Sequence, residues 1–304
     1  MKRFIFIVFS VLVFLISFNL CIDLFLSHRL QQCQERKFVG WSDITQKQLN
    51  ADLLIVGNSR AWVQYDPAII DSILKINSYN LGIDGSPFNR QIVKYNIYRH
   101  HQTKPKCIIV NIDCFSLTWR EGYEREQFFP YMWDAYTRNE IMKIEPFLWM
   151  EKYIPLYRYT TYNGIYSVLK ESLVNDELYK GYKGWVAEWD GTSFEEIKEI
   201  TFNLDNRTLE MFNGFLSDCM EEGIHVVFCY APIYSGVWDK MSNAQEMYNM
   251  YQKIAESYDI TILDYTKSFP CGDTTYFYNA MHLNKYGAEL FSRQLALDLV
   301  KKGL

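Results

Sequence analysis

The stretch "LLIVGNSRAWVQYDP", residues 53–67, carries a strand-like apolar run straight into Gly57, Asn58, Ser59 and Arg60 before any helical spacing begins. Four consecutive apolar residues bounded by a glycine read as a short strand buried on both faces. A strand that ends on Gly-Asn-Ser places Ser59 at the carboxyl edge of a sheet, with its hydroxyl toward a crevice and its N–H outside the ladder. Gly57 is expected to let the backbone turn tightly there, and Asp66-Pro67 to open the next helix.

Outward from this stretch the pattern alternates. An amphipathic segment, Pro67 to Leu74, precedes a short strand-like run, Ser78 to Leu81, and a longer helical run from Phe88 to about His101. Further strand candidates are "KCIIVNI" from Lys106, "IHVVFCYAP" from Ile224 and "ITILD" from Ile260, and helical spacing marks 204–222, 243–258 and 285–302. Strands alternating with helices imply a parallel sheet covered on both faces, with ligands gathering at the carboxyl ends of its strands. The alternation breaks between about 116 and 202, where Trp119, Trp133, Trp149, Trp185 and Trp189 stand among many tyrosines. This region reads as a partly helical insertion after the third strand, either an extra hydrophobic subdomain or a lid or sugar-stacking wall over the site.

Residues 4–26, "FIFIVFSVLVFLISFNLCIDLFL", match the roughly 20 residues a helix needs to cross a bilayer. The following "LFLSHRLQQ" offers no small-residue cleavage site, so the segment reads as an uncleaved anchor. Lys2 and Arg3 favour a cytoplasmic N-terminus and a domain outside the inner membrane, a bias that Arg29, Arg36 and Lys37 weaken. Residues 27–49 read as a polar spacer and residues 50–304 as one large domain. A formal net charge of −5 and the lack of a basic patch interleaved with aromatics argue against a nucleic-acid surface. The seven cysteines show no C-x-x-C spacing, so zinc and thioredoxin chemistry have no support. Cys107, Cys114 and Cys229 read as small core hydrophobes, and nothing pairs Cys33 with Cys271.

Near the other end, "TTYFYNAMHLNKYGAELFS" sets His282 in a polar loop before a helix whose start is marked by Asn284 and Gly287. A serine hydroxyl is a poor nucleophile until a neighbouring imidazole takes its proton. His282 stands where a base could reach back to the sheet edge, and proton transfer between a serine and a histidine implies no metal or organic cofactor.

The blocks "IVGNSR", "YNLGIDGS" and "NAMHLNKYGAELFS" resemble, in order and context, the first, second and last blocks of the SGNH (GDSL-like) hydrolases. The likeness extends to membrane-anchored SGNH-like proteins of bacterial cell-surface glycan loci, including relatives in alginate acetylation and teichoic-acid D-alanylation. It covers roughly 50–115 and 204–302. The resemblance implies a three-layer, flavodoxin-like α/β fold with Ser59 as nucleophile, His282 as general base, and the backbone N–H groups of Ser59 and Gly85 as oxyanion donors. It also implies a serine esterase or O-acyltransferase acting on an envelope glycan or acylated saccharide, with a membrane acyl-donor protein as partner of a transferase.

The sequence departs from the family twice. The acid usually found three residues before the histidine is Asn279, whose carbonyl can orient the ring without supplying charge; Asp273 or Asp264 could serve instead. In the third block, "VNIDCFS" sets Asn111 inside the strand and Asp113 near its end, where an ionised carboxylate cannot donate to an oxyanion. Asp113 reads equally as a cap on the strand-to-loop turn. Arg60 reads as fixing the loop through an ion pair or as meeting an anionic glycan. These departures keep open a non-catalytic glycan-binding or assembly protein on the same fold.

Overall fold

A computed structural model describes residues 1–33, 36–161, 164–173, 183–185 and 198–303. The chain divides into two compact units, Met1–Gln48 with Glu121–Lys180, and Leu49–Arg120 with Gly181–Leu304.

The second unit is built on five parallel strands, β1 Leu53–Val56, β2 Ser78–Asn80, β3 Cys107–Asn111, β4 His225–Tyr230 and β5 Thr261–Asp264, in the order β2-β1-β3-β4-β5. This is the flavodoxin-like order, with β1 and β3 adjacent at the switch point where crevices form. Successive side chains point to opposite faces. Leu53, Ile55, Ile109, Val227 and Leu263 therefore share one core with Tyr65 and with Phe291, Leu295 and Leu299 of the C-terminal helix α13, Lys285–Lys301. On the other face Phe228 meets Phe212 of α10 (Asn206–Glu221) and Tyr251 of α12 (Ala244–Tyr258), while Phe212 also meets Phe88 of α5 (Phe88–His101). With both faces covered, the strands read as continuous apolar runs. Helix α4, Pro67–Leu74, starts as its sequence expects: the Asp66 side chain accepts from Ala68 N at 2.8 Å and proline takes the first turn. A short helix, α11 (Ser235–Trp238), follows β4.

Two features differ from the sequence reading. A six-residue helix, α3, spans Ser59–Gln64, too short to announce itself by periodicity. Gly57 is required by space, since a Cβ there would lie 2.6 Å from Ala61 Cβ and 2.8 Å from Asn111 Cβ, and its backbone is not left-handed.

In the first unit, α1 (Lys2–Gln31) is long and apolar enough to cross a membrane, as a span or as a signal. Residues 1–18 are exposed all round, whereas Asp23, Leu26, Ser27 and Leu30 are buried. The stretch read as a spacer is largely helical: α2, Arg36–Gln46, is buried throughout residues 38–44, with Phe38, Val39, Trp41 and Ile44 supplying its apolar surface beside buried Ser42 and Asp43. Residues from the insertion pack with these helices: a 3-10 helix at Arg125–Tyr131, then α6 (Ala135–Ile141), α7 (Trp149–Tyr153), α8 (Tyr157–Thr161) and α9 (Gly164–Leu173). Gln127 accepts from Trp41 Nε1 at 2.5 Å, and Tyr131 OH pairs with Ser42 at 2.7 Å.

The acidic residue within the apolar helix has a specific use. Asp23, fully buried, forms an ion pair with the fully buried Arg158 and accepts from Trp133 Nε1 at 2.7 Å and Leu156 N at 2.6 Å. Arg158 also stacks over Trp133 and Tyr159. Removing one member of such a pair strands a buried charge, whereas replacing both with apolar groups is often neutral. Arg158→Met is expected to destabilise the full chain by about 3–5 kcal/mol. The pair Asp23→Leu/Arg158→Met should recover most of that, as read by denaturant unfolding in detergent; an unchanged midpoint in the single variant would contradict the role of the pair.

Candidate active site

Ser59 stands two residues beyond Gly57 at the carboxyl end of β1, as the first residue of α3. Asn58 caps that helix through its side-chain oxygen, which accepts from Arg60 N at 3.0 Å. A hairpin of β6 (Phe277–Asn279) and β7 (His282–Leu283) brings in the imidazole, so His282 lies in a paired strand rather than in an open loop. Phe277 and Leu283 bury the hairpin's inner face, and Asn284 caps α13 by accepting from Gly287 N at 3.0 Å.

Ser59 Oγ lies 2.8 Å from His282 Nε2, and His282 Nδ1 lies 3.1 Å from Asn279 Oδ1. The same Asn279 oxygen accepts from the backbone N–H groups of Met281 (2.9 Å) and His282 (3.0 Å). Two backbone donors fix which end of the amide is oxygen. Nδ1 must then carry the ring proton, leaving the Nε2 lone pair facing the serine. Asp273 instead caps a turn at Thr275, and Asp264 caps Thr266 and accepts from Tyr248 OH. The structure thus brings together Ser59, His282 and Asn279, and leaves both aspartates out.

Burial pushes the His282 imidazole down to about 4; the Arg60 guanidinium pushes in the same direction and Asp113 opposes it. The ring is therefore neutral at neutral pH and able to accept a proton, though its charged form is poorly supported.

The second block is held from below. Asn80, fully buried at the end of β2, donates to the carbonyls of Ala61 (2.7 Å) and Tyr65 (3.1 Å) and accepts from Gly82 N (2.8 Å). Ile83 N then donates to Gly57 O at 3.0 Å. Gly85 turns the loop at φ +55°, the left-handed region that favours glycine, and its carbonyl accepts from Arg120 Nη1 at 2.9 Å. Neither the Ser59 nor the Gly85 amide N–H has a hydrogen-bond acceptor among the described residues.

Asp113 takes the capping role. One carboxylate oxygen accepts from Phe115 N (2.8 Å), Ser116 N (2.8 Å) and Ser116 Oγ (3.0 Å). The other accepts from Asn58 Nδ2 (2.5 Å) and Asn111 Nδ2 (3.3 Å) and pairs with Arg60 Nη2 at 2.7 Å. Arg60, also buried, thus fixes the loop. Asn111 is the last residue of β3 and is buried; its Oδ1 accepts from Tyr65 OH at 2.8 Å, so its amide is engaged within the protein. The sequence reading missed Asn58, Asn80 and Tyr65 as supports. Only Asn58 left a signal, as a residue with cap chemistry before a helix.

The tryptophans considered as a lid or wall have varied roles. Arg207 stacks over Trp119 at 3.8 Å, Trp185 donates to Val63 O at 3.0 Å, Trp133 is bonded to Asp23, and Trp149 is exposed. Trp189 lies outside the described residues. All seven cysteines are free.

No protein-family model matches the chain, and no curated protein is similar to it in sequence. Solved structures of similar fold include a GDSL-like lipase from Bacteroides thetaiotaomicron, at 11% identity and a TM-score of 0.37, covering 83% of this chain and 88% of that chain. A protein from Desulfitobacterium hafniense assigned as lipolytic and of the G-D-S-L family is 11% identical, with a TM-score of 0.41 over 82% and 99% of the two chains. A protein from Streptococcus pneumonia assigned as a platelet activating factor is 11% identical, with a TM-score of 0.44 over 95% and 99%. These are distant likenesses, and the case for a function comes from the geometry of the site.

The depressed His282 pKa has a consequence for folding. In the unfolded chain the ring takes up its proton near its ordinary 6.5, in the folded chain only near about 4. The contribution of the neutral ring to stability is full above pH 6.5 and is lost as pH falls toward 4. Unfolding midpoints measured across this window should fall more steeply for the wild type than for His282→Gln, and parallel slopes would contradict the assignment.

Proposed function

We propose that the chain is a serine-dependent acyl-transfer enzyme. More specifically, it is a membrane-anchored esterase or O-acyltransferase of the SGNH (GDSL-like) kind, acting on acyl groups of an envelope polysaccharide. The observation that carries the proposal is the Asn279–His282–Ser59 relay at the carboxyl edge of the sheet, with ring tautomer and serine contact both suited to proton removal. Ser59 Oγ attacks the acyl carbonyl while Nε2 takes the hydroxyl proton, and the resulting oxyanion is met by the N–H groups of Ser59 and Gly85. Collapse of the tetrahedral intermediate breaks the ester bond, and the departing alcohol receives the proton from Nε2. Water or a sugar hydroxyl then repeats the sequence on the acyl-serine, giving hydrolysis or transfer.

The apolar α1 supports action at the inner membrane on a large or lipid-linked glycan, with the catalytic unit facing outward and a membrane protein supplying the acyl group for transfer. Two observations favour the alternative of a non-catalytic glycan-binding protein: the uncharged Asn279, and the burial of Asn111 inside the protein, its Oδ1 bonded by Tyr65 OH and its Nδ2 donating to Asp113.

Release of acetate from a chromogenic acetyl ester and from acetylated envelope glycan tests these readings. Ser59→Ala is expected to lower turnover by roughly 10³-fold or more, and equal release by wild type and variant would overturn the nucleophile assignment. The acid limb of the kcat/KM profile should lie near about 4 rather than 6.5, because the base acts only when neutral. Asn279→Asp keeps the accepting oxygen and adds charge, so it should move that limb upward and raise the rate about tenfold. A limb that does not move would show that Asn279 does not orient the ring.

A further inference from the structure

Helix α7 has its polarity turned inside out. Glu151 is nearly fully buried and pairs with Arg125 at 2.7 Å, while Leu148 (60% exposed), Trp149 (64%) and Tyr153 (50%) face outward, with Ile154 following. A helix bordering water buries its apolar side and exposes its charges; α7 does the opposite. Helix α9, which packs against α1 and buries Val168, also exposes Tyr166 (83%) and Leu173 (67%).

These helices belong to the same unit as α1, and α7 lies close in the chain to the point where that unit meets the end of the wholly exposed stretch of α1. The chain leaving α7 meets α1 at Asp23, through Leu156 N and Arg158. Phe18, where the wholly exposed stretch ends, is five residues nearer the N-terminus, about 7.5 Å along the helix. Arg138 and Lys152 both lie over the Tyr153 ring, at 5.5 Å and 5.8 Å. Tryptophan and tyrosine beside basic side chains, at the end of an apolar span, are the composition of a membrane–water boundary.

We infer that the outward faces of α7 and α9 rest in the headgroup region of a lipid bilayer, forming with α1 a broad membrane-seated base. The inference rests on the reading of α1 as a membrane span. It is independent of the serine chemistry. The patch exposes rings that accept both apolar and polar neighbours, and continuity with α1 selects lipid over a second copy or another protein as its occupant.

The test uses the full chain in phosphatidylcholine–phosphatidylglycerol nanodiscs in a Cys21→Ser background, since Cys21 is the exposed cysteine and the others are buried or half-buried. An environment-sensitive fluorophore is attached after Trp149→Cys, Phe9→Cys or Leu297→Cys, and lipids carrying a nitroxide near the headgroup or deep in the acyl chain serve as quenchers. Position 149 is expected to lose most of its fluorescence to the shallow quencher, position 9 to the deep one, and position 297 to neither. Quenching at 9 without quenching at 149 would overturn the boundary role of α7 and leave the span intact. Absence of quenching at 9 would overturn the span and the inference together. Quenching at 149 by a water-soluble quencher, with none from the shallow lipid nitroxide, would show that the patch faces water and would overturn the inference.

Discussion

The buried carboxylate of Asp113 holds the candidate site in register. Asn58 and Arg60, the neighbours on either side of Ser59, both reach the same carboxylate oxygen, so the serine is pinned between two bonds to one anchor just past the end of the adjacent strand. The other oxygen caps the loop that leaves β3. A buried anion is tolerated when its lone pairs are filled and a countercharge is adjacent, and both conditions hold here. The short helix α3, the close contact of Gly57 with Asn111 and the direction of the Ser59 hydroxyl all follow from this join between β1 and β3.

The electrostatics of the site are set by the same pair. Arg60 and Asp113 act on His282 in opposite directions, and burial outweighs both, so the ring stays neutral well into the acid range. An acid in place of Asn279 would stabilise the imidazolium; the amide fixes only the tautomer and the ring plane. In the proposed reaction this gives a base that is always ready and never strong, suited to an activated ester or to slow turnover on a membrane-bound polymer.

Much of the sheet was legible in the sequence because buried parallel strands leave continuous apolar runs, and α4 and α13 because Asp66-Pro67 and Asn284 mark their starts. The meeting of Ser59 with His282 was legible only through the order of three short blocks, since the two residues are 223 positions apart. Asp113 was ambiguous because its partners, at positions 58 and 60, lie on another strand's loop. Helix α3 is too short for a period, and α2 hides four apolar residues, Phe38, Val39, Trp41 and Ile44, in a polar stretch. The association of α1 with residues 121–180 has no local signature, because the buried Asp23 meets its partner Arg158 across 135 positions of sequence.

The activation of Ser59 by His282 is the claim on which the functional account rests, and covalent labelling reads it without knowledge of the substrate. The full chain would be treated with a fluorophosphonate at neutral pH and its peptides mapped by mass spectrometry. A single adduct on Ser59, formed by the wild type and lost in His282→Ala, is the expected result. An unlabelled wild type, or equal labelling of the two proteins at Ser59, would contradict the account.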